Sequence, residues 1–241
     1  MFCHLRSVIS LPTARHKKWL YFGWLLLIFG AFLLILPFDA RAQDPVIWSK
    51  AENLSLSPTS SRHPAIVADD YGNVHVFWSE ELLATDPDTA DGGSGRIGIM
   101  YMRWDGERWT LPVDIIVSPG DARADFIAAD IAPDGRLHAV WGGQSDFYYS
   151  TANVSEAGNP NAWGEPKILA GNNARSSRES GITIDEQGVI HVIYATRGSL
   201  AGVYHISSED GGTSWRDAEQ ISSGLSSAEA GFANVRIVND S

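Results

Sequence analysis

Ser208-Glu-Asp-Gly-Gly-Thr-Ser-Trp215 is the stretch from which the rest of the chain is read. Its order calls for a tight turn between two strands. Gly211 and Gly212 can take positive φ, the Asp210 carboxylate can accept amides of the turn, and the Trp215 ring can roof the hairpin.

The chain repeats around this turn. Gly72-Asn-Val-His75-Val-Phe-Trp78, Gly135-Arg-Leu-His138-Ala-Val-Trp141 and Gly188-Val-Ile-His191-Val-Ile-Tyr194 share one pattern: Gly, any residue, aliphatic, His, small apolar, aliphatic or aromatic, then Trp or Tyr. A short apolar run and an acidic turn precede each glycine. A third apolar strand follows each unit, and then a tryptophan: Trp109, Trp163 and Trp215, spaced 54 and 52 residues apart. Four short strands per unit of about fifty residues is the spacing of a β-propeller blade. The predicted fold is therefore all-β, a propeller of four-stranded antiparallel blades at about 62–116, 123–170 and 178–222, with the start of a next blade at 232–241. Trp48 to Ser55 reads as the fourth strand of a further blade. No Gly-His to Trp-Asp signature marks a WD repeat. Three blades and two stubs cannot close a ring of the usual size, so the expectation is an incomplete propeller whose remaining blades lie in sequence beyond Ser241.

Ahead of the repeats, Arg6, Arg15, Lys17 and Lys18 precede an unbroken apolar run from Trp19 to Leu36, followed by Ala40-Arg-Ala42. Residues 1–42 read as a signal peptide cleaved behind Ala42, or as a membrane anchor helix through residues 19–36 if uncleaved. Either places the domain of residues 43–241 outside the cytoplasm, secreted or at the cell surface. Without residues 1–42 the chain keeps 13 Lys and Arg against 28 Asp and Glu, a net charge of −15. Such a balance excludes nucleic acid as a partner and restricts any anionic ligand to a local pocket of arginines. The one cysteine, Cys3, lies in the leader, so the exported part is held by its core without disulfides.

Ser208, Asp210, Gly211, Gly212, Ser214 and Trp215 match the Asp box, and with it the chain resembles the sialidase (neuraminidase) superfamily and its non-catalytic relatives. In that family the box is a structural fastener between the third and fourth strands of a blade, remote from the active site. The resemblance implies a carbohydrate-interacting propeller whose partner is a glycan or cell-surface ligand. The alternatives are the N-terminal part of an exo-sialidase that cleaves terminal sialic acid, or a protein-binding scaffold. Degenerate turns, such as Arg103-Trp-Asp-Gly-Glu-Arg-Trp109, lean away from catalysis.

The family clamps a sugar carboxylate with arginines, the first from an Arg-Ile-Pro motif at an inner strand. Ser61-Arg62-His63-Pro64 is similar to that motif, with His63 in place of Ile. Arg62, Arg123 and Arg178, each just before an inner strand, are the substrate-binding candidates. The competing reading pairs Arg123 and Arg178 with nearby acids such as Asp121, Asp125 and Glu179. The acidic stretch Glu80 to Arg96 runs between a second and a third strand. By resemblance, one of Asp86, Asp88 or Asp91 is the acid/base candidate, and the same carboxylates suit calcium. No other cofactor and no metal site is expected. His75, His138 and His191, at one position of successive blades, read as half-buried imidazoles bonded to the neighbouring strand, since rotation about the ring keeps such positions apart.

Overall fold

In each repeat the apolar runs are too short for helices and are separated by Gly and Asp turns, so they pair as strands. A computed structural model describes residues 48–82, 96–116, 123–144, 146–170, 180–196 and 201–222. The leader or anchor at 1–42 and the blade start at 232–241 lie outside these residues. Twelve strands form three antiparallel four-stranded sheets, each in simple up-and-down order. Blade 1 holds β1 (Ser61–Ala68), β2 (Val74–Leu82), β3 (Arg96–Trp104) and β4 (Val113–Ile116). Blade 2 holds β5 (Asp125–Ile131), β6 (Arg136–Gly142), β7 (Phe147–Asn153) and β8 (Lys167–Ala170). Blade 3 holds β9 (Ser180–Ile184), β10 (Ile190–Thr196), β11 (Gly202–Ser208) and β12 (Glu219–Gln220). The first strands β1, β5 and β9 neighbour one another, which makes them the inner strands of a β-propeller.

The core lies between blades. In β6 the period-2 alternation feeds two different interfaces: Leu137, Ala139 and Trp141 join Phe77, Ile99, Tyr101 and Ile127 between blades 1 and 2, whereas Val140 joins Tyr149, Ile182, Val192 and Ile206 between blades 2 and 3. Both faces of a middle blade are thus covered, which is why β6 is apolar throughout except at His138 and the exposed Arg136. Hydrogen bonds stitch the seams as well, from the Ile184 amide to Asp130 Oδ2 at 2.9 Å and from the Ala124 amide to the Ile97 carbonyl at 2.8 Å.

Registers place the turns. Val74 pairs with Trp104, so the β1–β2 and β3–β4 turns share one face of the blade, while the start of β1 and the end of β2 share the other. Gly72, Gly135 and Gly188 close the turn between the first and second strands of the three blades with φ of 84°, 80° and 82°, a conformation that costs glycine little. The hairpin after β11 belongs to the same face. Gly211 and Gly212 have φ of 68° and 83°. Asp210 accepts from the Ser214 amide at 2.8 Å and from the Ser208 and Ser214 hydroxyls at 2.9 and 2.5 Å. Those bonds, chiefly from Ser214, hold its carboxyl down at about 2. Trp215 meets the edge of Tyr149 of blade 2 at 4.9 Å between ring centroids.

Each tryptophan stands where the chain first meets the third strand: the residue after Trp109, Trp163 and Trp215 donates its amide to the carbonyl of Arg103, Thr151 and Ser207 at 2.9 Å, and the regular fourth strand starts four residues past the tryptophan. Trp163 Nε1 donates to the Ala157 carbonyl at 3.0 Å. Residues 48–60 hold no strand, and Trp48 is 89 % exposed. The partner strands expected for Trp48–Ser55 lie outside the described residues, and a strand forms only as one of a pair.

The second-strand histidines bond to third strands. His75 Nδ1 meets the Tyr101 hydroxyl at 2.8 Å, His138 Nδ1 meets the Tyr149 hydroxyl at 2.7 Å, and His191 Nδ1 meets His205 Nε2 at 3.1 Å. The Tyr149 hydroxyl donates onward to the Gly211 carbonyl at 3.2 Å, so it accepts from His138. Burial lowers the pKa of His75 and His205 and brings His138 down to about 4. A histidine depressed in the folded state takes up its proton first in the unfolded chain. Its contribution is complete above about pH 6.5 and is lost as pH falls, to about 3 kcal/mol for His138 alone near pH 4. Urea midpoints measured at steps from pH 7.5 to 4.5 are expected to fall through this window, with a shallower slope in His138→Gln.

A second expectation concerns Gly212. A Cβ there would stand 2.0 Å from the Tyr149 hydroxyl on a backbone at φ +83°. Gly212→Ala is expected to cost roughly 2 kcal/mol or more, read as a lowered thermal midpoint, because strain and overpacking add.

Candidate functional site

The face opposite the glycine turns carries the start of each inner strand, and there β1 and β5 share an irregularity. Arg62 pairs with Ser79 and Ala65 with Phe77; Asp125 pairs with Gly142 and Ala128 with Val140. In each case three residues of the inner strand span two of its partner, a β-bulge that re-aims side chains. The extra residue sits beside a non-glycine at positive φ, His63 at 51° in blade 1 and Phe126 at 57° in blade 2. The two rings stack at 3.9 Å between centroids across the blade seam. Such backbone costs about 1–3 kcal/mol and gathers at functional sites.

The aligned bulges make Arg62 and Asp125 equivalent positions of successive blades. Their opposite charges meet, with Arg62 Nε 3.8 Å from Asp125 Oδ2. Arg123 is therefore not the repeat partner of Arg62. It lies two residues upstream of that position, in an isolated parallel bridge with Ile97, and its Nη2 donates to Asp125 Oδ2 at 2.8 Å. The acid-pairing reading of Arg123 is the one that the geometry matches. Repeat position judged only as 'just before the inner strand' left the alignment loose by two residues, whereas the strand registers set Arg62 against Asp125.

Asp125 is the hub. It is only 1 % exposed and bonds His63 Nδ1 through Oδ1 at 2.8 Å, while Ser79, which accepts from the Phe126 amide at 3.2 Å, also hydrogen-bonds it. Burial would raise its pKa, but the bonds from Ser79, His63 and Arg123 outweigh burial and hold the carboxyl below its usual value. Neighbouring Glu80 is a second buried carboxylate. It accepts from Thr59 at 2.5 Å, Ser61 at 2.6 Å and Trp78 Nε1 at 2.7 Å, and here too the hydrogen bonds overcome burial and lower the pKa. Both acids are ionised and saturated with donors. Neither can serve as a general acid, which needs a proton at working pH. Glu80 borders a cleft of about 220 Å³ lined by Ser55, Ser57, Thr59, Trp78 and Met100.

Arg62 and Arg103 each keep a buried Nε without a hydrogen bond. On the bulged face the Arg62 side chain is 36 % exposed, and among the described residues its one charged partner is Asp125 at 3.8 Å. Arg178 and the acid/base candidates Asp86, Asp88 and Asp91, with the calcium reading of that loop, lie outside the described residues. Sequence reasoning took Arg62 from the motif but missed His63 and Asp125 as a pair, and it missed Glu80. The signal was present: Arg62-His63-Pro64 set against Asp125-Phe126-Ile127 aligns the two charges.

A larger cavity of about 500 Å³ opens on the other face between Arg136, Tyr149, Lys167 and the Asp210–Thr213 turn. Two of its donors are committed across the seam, Lys167 Nζ to the Gly212 and Thr213 carbonyls at 2.7 and 3.2 Å and the Tyr149 hydroxyl to the Gly211 carbonyl at 3.2 Å. It fastens blade 3 to blade 2. Among the described residues no group of His, Cys, Asp and Glu is placed to share a metal ion.

No protein-family model and no curated protein sequence matches the chain. Solved structures do. A protein of unknown function from Dyadobacter fermentans aligns with TM-score 0.49 and 12 % identity over 68 % of this chain and 54 % of that one. A mutant of the NanB sialidase from Streptococcus pneumoniae aligns with TM-score 0.49 and 12 % identity, over 70 % and 40 %. An α-L-arabinanase from Penicillium chrysogenum, complexed with arabinobiose, aligns with TM-score 0.44 and 17 % identity, over 65 % and 44 %. The chain spans about half the length of the structures it matches first. At this similarity the fold stands on the chain's own sheets and registers.

Asp125→Ala would leave Arg123, Ser79 and the Phe126 amide facing a void. It is expected to cost about 3 kcal/mol at pH 7, read as a shift of the urea midpoint. Because the Asp125 pKa is depressed on folding, its contribution is complete above about pH 3.9 and is lost as pH falls below that. The gap between variant and parent should therefore narrow in strong acid.

Proposed function

We propose that the protein is an exported, carbohydrate-interacting β-propeller that takes an anionic glycan on the bulged face of blades 1 and 2. The observation that carries this reading is Arg62: a guanidinium on a side chain 36 % exposed, held 3.8 Å from a buried Asp125 that already bonds Ser79, His63 and Arg123, next to a strained residue of an inner strand. A planar guanidinium suits a sugar carboxylate because two parallel N–H bonds match its two oxygens. Asp125 supports this role by fixing the position of the arginine while Arg123 shares its charge. The resemblance to sialidases through the Ser208–Trp215 turn points to the same ligand class, and the leader at 1–42 points to a secreted or surface location.

Sialidase-type hydrolysis is the alternative within this reading. With Glu80 and Asp125 saturated, an acid/base residue would be sought at Asp86, Asp88 or Asp91, whose role stays a proposal of the resemblance. A fluorogenic sialoside tests it: release by the full chain that disappears in the triple variant Asp86→Asn, Asp88→Asn, Asp91→Asn supports hydrolysis, and no release above buffer discards it.

Binding is tested by calorimetry of the full chain with N-acetylneuraminate, galacturonate and methyl β-galactoside. The two sugar acids are expected to bind and the neutral sugar to bind weakly. Arg62→Ala is expected to weaken the acids roughly 10- to 100-fold, the range of a hydrogen bond to a charged group. Equal affinity for acid and neutral sugars would overturn the proposal.

A further inference from the structure

The residue that departs from the sialidase-like motif, His63, has a geometry of its own. Its Nδ1 lies 2.8 Å from Asp125 Oδ1, and Asp125 is buried, ionised and fixed by Ser79 and Arg123. A carboxylate accepts only, so Nδ1 must carry the hydrogen, and in the neutral ring Nε2 is then the acceptor. The side chain is 36 % exposed, and Nε2 has no hydrogen-bond partner among the described residues. Arg62 approaches the other oxygen of the same carboxylate. Arg62 and His63, adjacent in sequence and each 36 % exposed, are therefore anchored to the two oxygens of one carboxylate.

We infer that His63 is a ligand-contacting residue, presenting Nε2 as a neutral hydrogen-bond acceptor beside the Arg62 cation, and that the site is built for a sugar acid whose carboxylate takes Arg62 while a ring hydroxyl donates to His63. The inference rests on the anionic-glycan reading and sharpens it. A ligand with a carboxylate but no neighbouring hydroxyl donor leaves Nε2 unsatisfied, so carboxylate alone is not enough. Asp125 is the positioning residue: it never meets the ligand but sets which nitrogen is free and where the ring stands. The charged groups facing the imidazole are Arg62 on its own strand and Asp125 and Arg123 from blade 2.

The fold itself supplies a clean variant. Phe126 occupies the equivalent bulge position at φ 57°, against 51° for His63, so a phenyl ring is tolerated on this backbone. His63→Phe keeps the stack on Phe126 and removes both nitrogens. Asp125 retains Arg123, Ser79 and the Phe126 amide.

The experiment has two arms on the full chain. The tautomer is read by long-range ¹H–¹⁵N correlation at the imidazole, with Nδ1 expected as the protonated nitrogen and Nε2 as the bare one. Calorimetry then compares N-acetylneuraminate and galacturonate with propionate, in wild type, His63→Phe and Arg62→Ala. Expected are a lowered thermal midpoint for His63→Phe, since Asp125 loses one donor, a loss of about tenfold in affinity for both sugar acids, and no change in the weaker binding of propionate, which shows the site still folded. A hydrogen on Nε2 in the free protein overturns the inference. So does sugar-acid binding by His63→Phe equal to wild type while Arg62→Ala loses it, an outcome that leaves the anionic-glycan reading standing. No sugar-acid binding by wild type would overturn both.

Discussion

Face-to-face packing of sheets is the constraint on which this molecule depends. A four-stranded sheet with apolar residues on both faces has no stable existence alone, and in blade 2 both faces are filled: Trp141 and Tyr148 on the side of blade 1, Phe147 and Tyr149 on the side of blade 3. Large aromatic side chains at a seam bury area on two blades at once, as Phe147 does against Tyr194 at 5.2 Å and Tyr149 does against Trp215 at 4.9 Å. The second-strand histidines are satisfied locally, by histidine–tyrosine bonds in two blades and a histidine pair in the third. The repeat is thus a repeat of interfaces, and each blade is completed by its neighbour.

The same rotation that stacks the blades builds the bulged face. Arg62 and Asp125 occupy one place in two successive blades, so the ring brings them together without any loop having to reach. His63 and Phe126 likewise meet because each follows its charged neighbour on a strand carrying one extra residue. Strain is placed where two side chains need re-aiming, and it is offset by the stack, the buried carboxylate and the bonds from Ser79. The opposite face does the reverse. The Ser208–Trp215 turn and Lys167 direct their polar groups into backbone carbonyls and neighbouring hydroxyls, which fastens blades and leaves little to offer a ligand.

Legibility followed the range of each interaction. The three second strands could be read because β2, β6 and β10 repeat both a glycine at positive φ and an apolar run covered on two faces. The fourth strands were harder to bound, since each begins with a single bond after its tryptophan and becomes regular four residues past it; β12 is only two residues long. Trp48–Ser55 carries the same letters as a fourth strand, but a strand is a property of a pair and its partner lies outside the described residues. On the bulged face, Arg62 was singled out from its motif. Arg123 was placed in the right neighbourhood with the wrong equivalence, because repeat position alone left the start of the inner strand loose by two residues.

What the sequence determined alone is local or periodic: strand length and number, the turns that glycine and aspartate make possible, the alternation that turns each strand toward two neighbours, and the absence of thiols after Cys3. Only the tertiary structure decided which charges meet. His63 and Arg62 reach Asp125 across some sixty residues, where Arg123 joins them from two residues away, because two bulges of equal size lie on adjacent inner strands; the distance between non-local side chains depends on how blades rotate, which no stretch of the chain encodes by itself.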